Sequence, residues 1–243
     1  MSSRKPLSRD AIKLFAMAAM FCNHYAQALM VPSLGYTVLV DVGYFTAVTM
    51  CYFLVEGFGY TRSRPRYALR LLGFALLSQP VYMAALHTTQ LNMLFTLFFC
   101  FLILWALDAL AGRWYRVPAV AALVLVTAWC DWPILAAGYT LLFALCAGRG
   151  RAWQGLCFCM AAAMFFLFNF NNYYAAGFSP ADSALYAAPA CLGILVAGAV
   201  VLFLYNGRRS AFALRHPALS KYFFYLFYPG HLALLALARI LVR

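Results

Sequence analysis

The sequence predicts an all-α protein, a polytopic bundle of about nine transmembrane helices. Of its 243 residues, 66% are hydrophobic and only 10% are charged, a balance far outside that of soluble domains. The apolar residues fall into runs of about 20, the length that crosses a bilayer as a helix. The connectors alternate in charge, and none is long enough to fold separately. Residues 1–243 are therefore predicted to form a single integral-membrane domain.

The predicted spans follow the apolar runs in order. They lie at 11–31, 36–59, 66–86, 91–111, 117–130, 132–147, 152–170, 185–205 and 221–241. The fifth is short, because residues 117–130 make a helix of only about 21 Å. The stretch 117–147 is therefore predicted, as an alternative, to be a re-entrant hairpin that enters from the cytoplasmic side.

Basic residues occur in every second connector. They are Arg4, Lys5 and Arg9, Arg62 and Arg64, Arg113 and Arg116, Arg149 and Arg151, and Arg208, Arg209 and Arg215. The intervening connectors, at 32–35, 87–90, Asp131 and 171–184, contain no Lys or Arg. The positive-inside rule then predicts a cytoplasmic N-terminus and an external C-terminus. The net charge of +12 is interpreted as this topology signal, and no nucleic-acid partner is expected, because no nucleic-acid-binding motif is found.

Two ionisable residues interrupt the first span. Lys13 and His24 are eleven positions apart, and eleven steps of about 100° return to the same helix face. A rise of about 16 Å puts Lys13 at the cytoplasmic boundary and His24 beyond the midplane. One alternative is that Lys13 is an interfacial anchor and His24 a structural histidine. Ionisable groups inside membrane spans, however, usually mark a pathway or a reaction site. A cleaved signal peptide ending near Ala26-Gln27-Ala28 is a further alternative.

The turn EGFGYTRSRPRYALRLL joins the second and third spans and is rich in arginine. Its guanidinium groups belong to Arg62, Arg64, Arg66 and Arg70. The last two are four positions apart and share a helix face, while Pro65 suits the first turn of a helix. The free N–H groups of a helix N-terminus also attract anions. The turn therefore predicts a phosphate site, with a positive-inside anchor as the alternative, and Glu56 is either an ion-pair partner or a catalytic carboxylate.

The last span contains the motif KYFFYLFYPGHLALLALAR. Tyr228 and His231 are three positions apart and share a helix face. Pro229 has no N–H to donate to the carbonyl of Tyr225, so we expect a kink and a free acceptor beside a buried histidine. Tyr222 and Tyr225 are interpreted as residues of the aromatic belt.

Four blocks of the chain carry a family resemblance. KLFAMAAMFCNHYA, FLVEGFGYTRSRPRYALRLLGFALLSQP, LNMLFTLFF and KYFFYLFYPGHLALL resemble the signature blocks of the TraX family, named for the N-acetyltransferase of conjugative pilin. The family resembles the wider transmembrane acyltransferases, in which a basic residue precedes a histidine by eleven positions, as Lys13 precedes His24. The family's usual Gly-Arg followed by proline is absent here, where Gly43-Tyr44 and Val48 stand.

The resemblance implies an acyltransferase of the bacterial inner membrane that uses acetyl-CoA as co-substrate and no metal. Cytoplasmic acetyl-CoA would bind the four arginines with Lys13, and a protein, lipid or small-molecule acceptor would arrive from the outer side. By the resemblance the acceptor is a pilin N-terminus. His24 would act as base or be acylated transiently, with His231 and Tyr228 polarising the thioester carbonyl or positioning the acceptor.

Two further residues enter this mechanism by position. Asp41 lies about as deep in the second span as His24 in the first, and is expected to orient its imidazole. Asn92, at the outer start of the fourth span, is expected to line the acceptor entrance. The alternative function is a small proton-coupled transporter, with His24, Asp41, Glu56 and His231 as a relay. A third possible function is that of an assembly subunit. The oligomeric state is not predicted.

Overall fold

The structure, a computed structural model, describes residues 5–242 and is helical throughout. Its helices are α1 (Arg9–Leu29), α2 (Leu34–Tyr60), α3 (Arg64–Leu86), α4 (Met93–Ala109), α5 (Arg116–Val126), α6 (Leu135–Cys146), α7 (Arg151–Ala175), α8 (Pro180–Ala190), α9 (Leu192–Ala199), α10 (Ala211–Arg215) and α11 (Pro217–Val242). A 3-10 turn follows α5, and a π-helical turn follows α9. No β-strand forms within the described residues. The all-α prediction is confirmed.

The long helices have the length and apolar character of membrane spans. Among the described residues, five segments meet both criteria: Leu34–Tyr60, Arg64–Leu86, Arg151–Ala175, Pro180–Leu204 and Pro217–Leu241. The helices α4, α5 and α6 are apolar but shorter. The 12 residues of α6 extend about 18 Å, less than the roughly 30 Å of a hydrocarbon layer. These helices indicate a membrane protein, whereas its orientation and the choice between nine crossings and a hairpin stay predictions.

Serine side chains begin several of the helices, because a hydroxyl can accept one of the unpaired N–H groups of a first turn. Ser8 accepts from Ala11 at the start of α1, and Ser63 accepts from Arg66 at the start of α3. Ser179 and Ser210 cap α8 and α10 in the same way. The chain therefore marks its helix starts locally, next to the apolar runs.

The helices are grouped into two compact units. Unit 1 comprises Met1–Thr49 and Gly148–Lys221, and unit 2 comprises Met50–Ala147 and Tyr222–Arg243. Both α2 and α11 contribute residues to each unit. The expectation of a single functional domain stays a prediction.

Unit 1 is built around α7, which packs against α8 and α9. Its N-terminal segment is fixed to the segment after α9, because the Leu7 N–H donates to the Leu204 carbonyl and the Asn206 N–H donates to the Leu7 carbonyl. Lys5 Nζ donates to the Leu202 carbonyl oxygen over 2.7 Å. Burial and the nearby positive charge of Arg151 lower the pKa of the Lys5 ammonium. Positive charge is thus concentrated at this end of unit 1.

Unit 2 is built around α4, which packs against α3, α5 and α6. The largest fully buried side chains of its core include Tyr139, Phe101 and Ile103. The connector before α4 meets the connector between α5 and α6, because Leu91 and Cys130 form an isolated β-bridge. Neither connector contains Lys or Arg. The arginine turn meets the end of α4 through Arg64 and Asp108. Both contacts agree with connectors that alternate between two ends of the unit.

Candidate functional site

Tyr228 and His231 lie together in unit 2, where α11 passes the start of α4. The Met93 N–H donates to the Tyr228 hydroxyl oxygen over 3.3 Å. The His231 ring meets the Tyr228 ring edge-on, with 5.7 Å between centroids, and stacks on Phe227 at 4.8 Å. Both residues are buried, with 3% of Tyr228 and 4% of His231 exposed. The pair therefore sits inside the protein, on the helix face that its spacing predicts.

The hydrogen bond of His231 assigns its tautomer. Its Nδ1 lies 2.8 Å from the Phe227 carbonyl oxygen, and a carbonyl oxygen can only accept, so Nδ1 carries the hydrogen. In the neutral ring Nε2 then carries the lone pair, as a general base requires. The acceptor beside this histidine is therefore the Phe227 carbonyl, and the expected Tyr225 carbonyl is not the one it uses.

Asn92 has a structural role at the N-terminus of α4. Its side-chain oxygen accepts from the Leu94 N–H over 2.9 Å and caps the helix. Its amide nitrogen donates to the Ala75 carbonyl and to Gln79 Oε1, each over 2.8 Å. The residue is fully buried. Its side-chain amide is thus already engaged within unit 2, and lining the acceptor entrance stays a prediction.

The connector between α5 and α6 brings Asp131 to the same region. The Asp131 N–H donates to the Leu91 carbonyl over 2.6 Å, and the Thr96 hydroxyl donates to the Asp131 carbonyl over 2.6 Å. The same connector holds Trp132 and Ile134 at φ values of 59° and 61°. A positive φ at a non-glycine residue costs about 1–3 kcal/mol and persists only where the surrounding contacts impose it. The connector is therefore held firmly in a strained shape.

The residues around the start of α4 bring Asp131 close to Tyr228, because the Leu91 carbonyl accepts from the Asp131 N–H and the Met93 N–H donates to the Tyr228 hydroxyl. The Asp131 carboxylate acts electrostatically on the hydroxyls of Tyr82 and Tyr228, each only 3% exposed. Burial raises the pKa of the Asp131 carboxyl to about 6, and a contact with the Trp132 backbone opposes this shift. The sequence alone assigns Asp131 no role beyond forming a connector without Lys or Arg. We name Tyr82, Tyr228, His231 and Asp131 the acid–tyrosine cluster.

Two of the four arginines in the predicted phosphate site are held by protein groups. Arg64 Nη1 pairs with Asp108 Oδ2 at 2.5 Å, and its guanidinium lies 4.6 Å from the Phe58 ring centroid. Arg70 Nε donates to the Tyr225 hydroxyl over 3.1 Å. These two guanidinium groups are therefore positioned by unit 2 itself.

The other two arginines of the turn, Arg62 and Arg66, are exposed. Neither guanidinium group has a hydrogen bond or ion pair with another residue in the described part of the chain. The first turn of α3 adds little to them, because Pro65 has no N–H and the Arg66 N–H donates to Ser63 Oγ. Arg62 and Arg66 are the part of the predicted site with free capacity for a phosphate.

Tyr225 stacks on Phe74 with 4.8 Å between centroids and accepts from Arg70, and its interpretation as a belt residue stays a prediction. Tyr222 is exposed, as a belt residue would be. Glu56 is half-buried in α2, and Asp108 is the carboxylate that pairs with Arg64. The two alternatives for Glu56 stay predictions.

In unit 1, α1 places Lys13 and His24 on one face, as their spacing predicts. His24 is buried, with 6% of its surface exposed, and Lys13 is half-buried. Asn23, the residue before His24, donates from Nδ2 to the Val40 carbonyl over 2.8 Å. A Cβ on Gly43 would lie 2.2 Å from the Asn23 Cβ, so only glycine allows α1 and α2 to approach so closely.

Asp41 is half-buried on α2. The contact between Asn23 and Val40 places the neighbouring residues His24 and Asp41 at a similar level of their helices. A Cβ on Gly193 would lie 2.8 Å from the Asp41 carbonyl oxygen, so α9 packs tightly on the same turn of α2. The orientation of the His24 ring by Asp41 stays a prediction.

Comparison with known proteins assigns the family. The family model described as TraX protein matches residues 8–239. This chain belongs to the TraX family. The match includes every residue of the acid–tyrosine cluster, the arginine turn and the pair Lys13 and His24. The family resemblance carried by the four sequence blocks is thereby confirmed.

A curated relative of this TraX-family chain is described as a probable fimbrial assembly protein FimC, serogroup H1, from Dichelobacter nodosus. The two are 30% identical over 263 aligned positions, and the alignment covers 100% of both chains. No solved structure matches the chain.

Proposed function

We propose that this TraX-family protein is an integral-membrane acyltransferase. It transfers an acetyl group from cytoplasmic acetyl-CoA to an amine of a pilus or fimbrial protein. The family match over residues 8–239 and the relative described as a fimbrial assembly protein support the class of acceptor. The observation that carries the chemistry is the His231 imidazole, whose Nδ1 donates to the Phe227 carbonyl beside Tyr228.

The phosphates of acetyl-CoA bind at the arginine turn in this proposal. Arg62 and Arg66 are exposed and supply two positive charges to the phosphates. Arg64 and Arg70 are held by Asp108 and Tyr225, so they keep the turn in shape. Lys13 retains its proposed role as a further cationic contact.

The reaction requires a base and a donor to the carbonyl oxygen. The amine nitrogen forms a bond to the thioester carbon, and a histidine takes the proton that the nitrogen loses. The carbon–sulfur bond then breaks, and the CoA thiolate takes that proton back from the imidazolium. In unit 2 the neutral His231 accepts through Nε2, while Tyr228 supplies the hydroxyl that donates to the carbonyl oxygen.

His24 is the second candidate base and belongs to unit 1. It retains two proposed roles, which are proton acceptor and transient acyl carrier. An acyl-histidine would be trapped as a covalent adduct when acetyl-CoA is supplied without an acceptor. Intact-mass analysis of wild type and His24→Ala therefore separates the two roles.

The experiment for the co-substrate site is calorimetric binding of acetyl-CoA to the purified protein in nanodiscs. We compare wild type with Arg62→Gln/Arg66→Gln. The control is Arg113→Gln/Arg209→Gln, which removes the same charge from two exposed arginines of other basic connectors. The expected result is a loss of at least tenfold in affinity for the first variant and less than twofold for the control.

Two results would overturn this assignment. Equal weakening by both variants would mean that only overall charge matters. Absence of acetyl-CoA binding by folded wild type would favour the rival proton-coupled transporter, in which His24, Asp41, Glu56 and His231 form the relay.

A further inference from the structure

The Asp131 carboxylate has no cationic partner among the described residues, because no Lys, Arg or His there forms an ion pair with it. It is half-buried and acts electrostatically on Tyr82 and Tyr228. A desolvated carboxylate is costly unless a positive group or several donors compensate it. Within the described part of the chain, Asp131 is thus a negative site that no basic residue neutralises.

The position of this site is fixed by a neighbouring connector and by α4. The Leu91 N–H donates to the Trp129 carbonyl over 3.0 Å, and the Asp131 N–H donates to the Leu91 carbonyl. Thr96 donates from α4 to the Asp131 carbonyl. These bonds hold the Asp131 backbone in place within unit 2. The positive φ values of Trp132 and Ile134 show that the neighbouring backbone is strained.

We propose that Asp131, together with Tyr82 and Tyr228, binds the ammonium group of the acceptor. This inference rests on the proposed function and adds its acceptor-binding residues. An ammonium group supplies the missing positive charge and up to three N–H donors. Aromatic rings and hydroxyls beside a carboxylate suit the same ligand, through cation–π and hydrogen-bond contacts.

The arrangement also connects binding to chemistry. The Tyr228 hydroxyl accepts from the Met93 N–H, two residues after the Leu91 carbonyl that accepts from the Asp131 N–H, and the Tyr228 ring meets the His231 ring edge-on. The bound ammonium first releases one proton to water and becomes the neutral amine, and His231 accepts the second proton as the nitrogen bonds to the thioester carbon. A hydroxyl acceptor could donate only one hydrogen bond to the carboxylate and would bring no positive charge. Asp131 is a positioning residue in this scheme, because it holds the acceptor while histidine moves the proton.

A purely structural Asp131 is the competing account. A protonated carboxyl could donate to a neighbouring tyrosine and serve only to hold the connector. Asparagine would keep such a neutral contact but would not attract a cation. The variant Asp131→Asn therefore discriminates the two accounts, and it removes no backbone contact.

The test uses full-length protein in nanodiscs and a pair of matched probes. Glycylglycinamide has a free ammonium, and N-acetylglycylglycinamide differs by lacking it. Calorimetry gives the affinity of each probe and of acetyl-CoA for wild type, for Asp131→Asn and for Asp182→Asn. The last is the control, because Asp182 is an exposed carboxylate at the start of α8 in unit 1.

The expected result has three parts. Wild type binds the ammonium probe at least tenfold more tightly than its acetylated form. The variant Asp131→Asn loses that preference while keeping its affinity for acetyl-CoA, and Asp182→Asn behaves as wild type. In turnover assays Asp131→Asn raises the KM for the ammonium probe at least tenfold, with kcat changed less than threefold and the KM for acetyl-CoA unchanged.

The failures are distinguishable. If Asp131→Asn keeps the preference for ammonium, the inference is wrong and the proposed acyltransferase is untouched. If wild type prefers the ammonium probe through Asp131 but neither binds acetyl-CoA nor acetylates the probe, the cation site stands and the proposed function fails. A wild type without preference between the probes overturns the inference directly.

Discussion

The Nδ1 atom of His231 donates to the carbonyl oxygen of Phe227 over 2.8 Å, one turn earlier on the same helix. This bond fixes both the tautomer and the orientation of a buried imidazole. The acceptor belongs to the same helix, so the backbone of α11 itself holds the ring of its histidine.

The first prediction concerns His231→Asn and His231→Ala. Asparagine places an amide N–H close to the position of Nδ1 and retains the donation to Phe227, but it provides no base. Both variants are expected to lower the rate of acetyl transfer by about 10²–10⁴-fold, the typical contribution of general acid–base catalysis. Acetyl-CoA affinity should be unchanged. Single-turnover rates measure the effect, and near-wild-type activity of His231→Asn would rule out base catalysis by this residue.

The second prediction concerns Asn92→Ala. The change leaves the Leu94 N–H and the Ala75 carbonyl without their side-chain partner at a fully buried position, while Gln79 keeps its bonds to the Asn92 N–H and the Gln90 carbonyl. Each unsatisfied group costs about 1–3 kcal/mol, so the loss of unfolding free energy should exceed about 2 kcal/mol. Thermal unfolding in detergent measures it, with Thr89→Ala in the exposed connector before α4 as control. An unchanged melting temperature would show that the capping network contributes little.

The third prediction concerns Tyr225→Phe. The variant keeps the ring stacked on Phe74 and removes the hydroxyl that accepts from Arg70. A hydrogen bond to a charged donor contributes about 1.5–3 kcal/mol, less where water reaches the pair. We expect a Tm lower by a few degrees and acetyl-CoA affinity reduced two- to fivefold, because the arginine turn loses one support. Tyr222→Phe, an exposed tyrosine on the same helix, should change neither quantity.

The fourth prediction is a pH dependence of ammonium binding. Burial raises the pKa of the Asp131 carboxyl to about 6, so the charged form predominates only above that pH. The groups facing it are the hydroxyls of Tyr82 on α3 and Tyr228 on α11, the Cys130 thiol and the Trp132 backbone. Affinity for glycylglycinamide should fall by up to about tenfold per pH unit below pH 6, be highest near pH 7, and fall again above about pH 8, where the α-ammonium of the probe loses its proton.

The same shift has a defined sign for stability. A carboxyl pKa raised above its ordinary value means that the folded protein binds the proton more tightly than the unfolded chain does. This group therefore costs stability at pH values above 6, and the cost disappears as the pH falls from 6 towards 4. Asp131→Asn should remove that part of the pH dependence of Tm, and a variant with the wild-type profile would contradict the raised pKa.

The helices could be predicted because their signal is local. The predicted span at 36–59 corresponds to α2 (Leu34–Tyr60), and the one at 66–86 corresponds to α3 (Arg64–Leu86). Apolar runs and capping residues lie next to one another in sequence, so composition and spacing suffice. The pairs Lys13 with His24 and Tyr228 with His231 belong to the same class, because each shares one helix.

The cluster around Asp131 could not be predicted, because its members come from three distant stretches. Tyr82 lies on α3, Asp131 in a connector and Tyr228 on α11, and only packing brings them together. The pairing of Arg64 with Asp108 is equally remote in sequence. A positive φ at Ile134 is also hidden, because a β-branched residue gives no local signal for that conformation.

The central claim is acetyl transfer to an amine, and one measurement tests it most directly. Purified protein in nanodiscs is incubated with acetyl-CoA and glycylglycinamide, and mass spectrometry follows the product alongside CoA release. Wild type is predicted to form N-acetylglycylglycinamide in step with CoA release, and His231→Asn to form it at least a hundredfold more slowly. Folded wild type that binds the peptide yet yields neither acetylated product nor CoA would contradict the account.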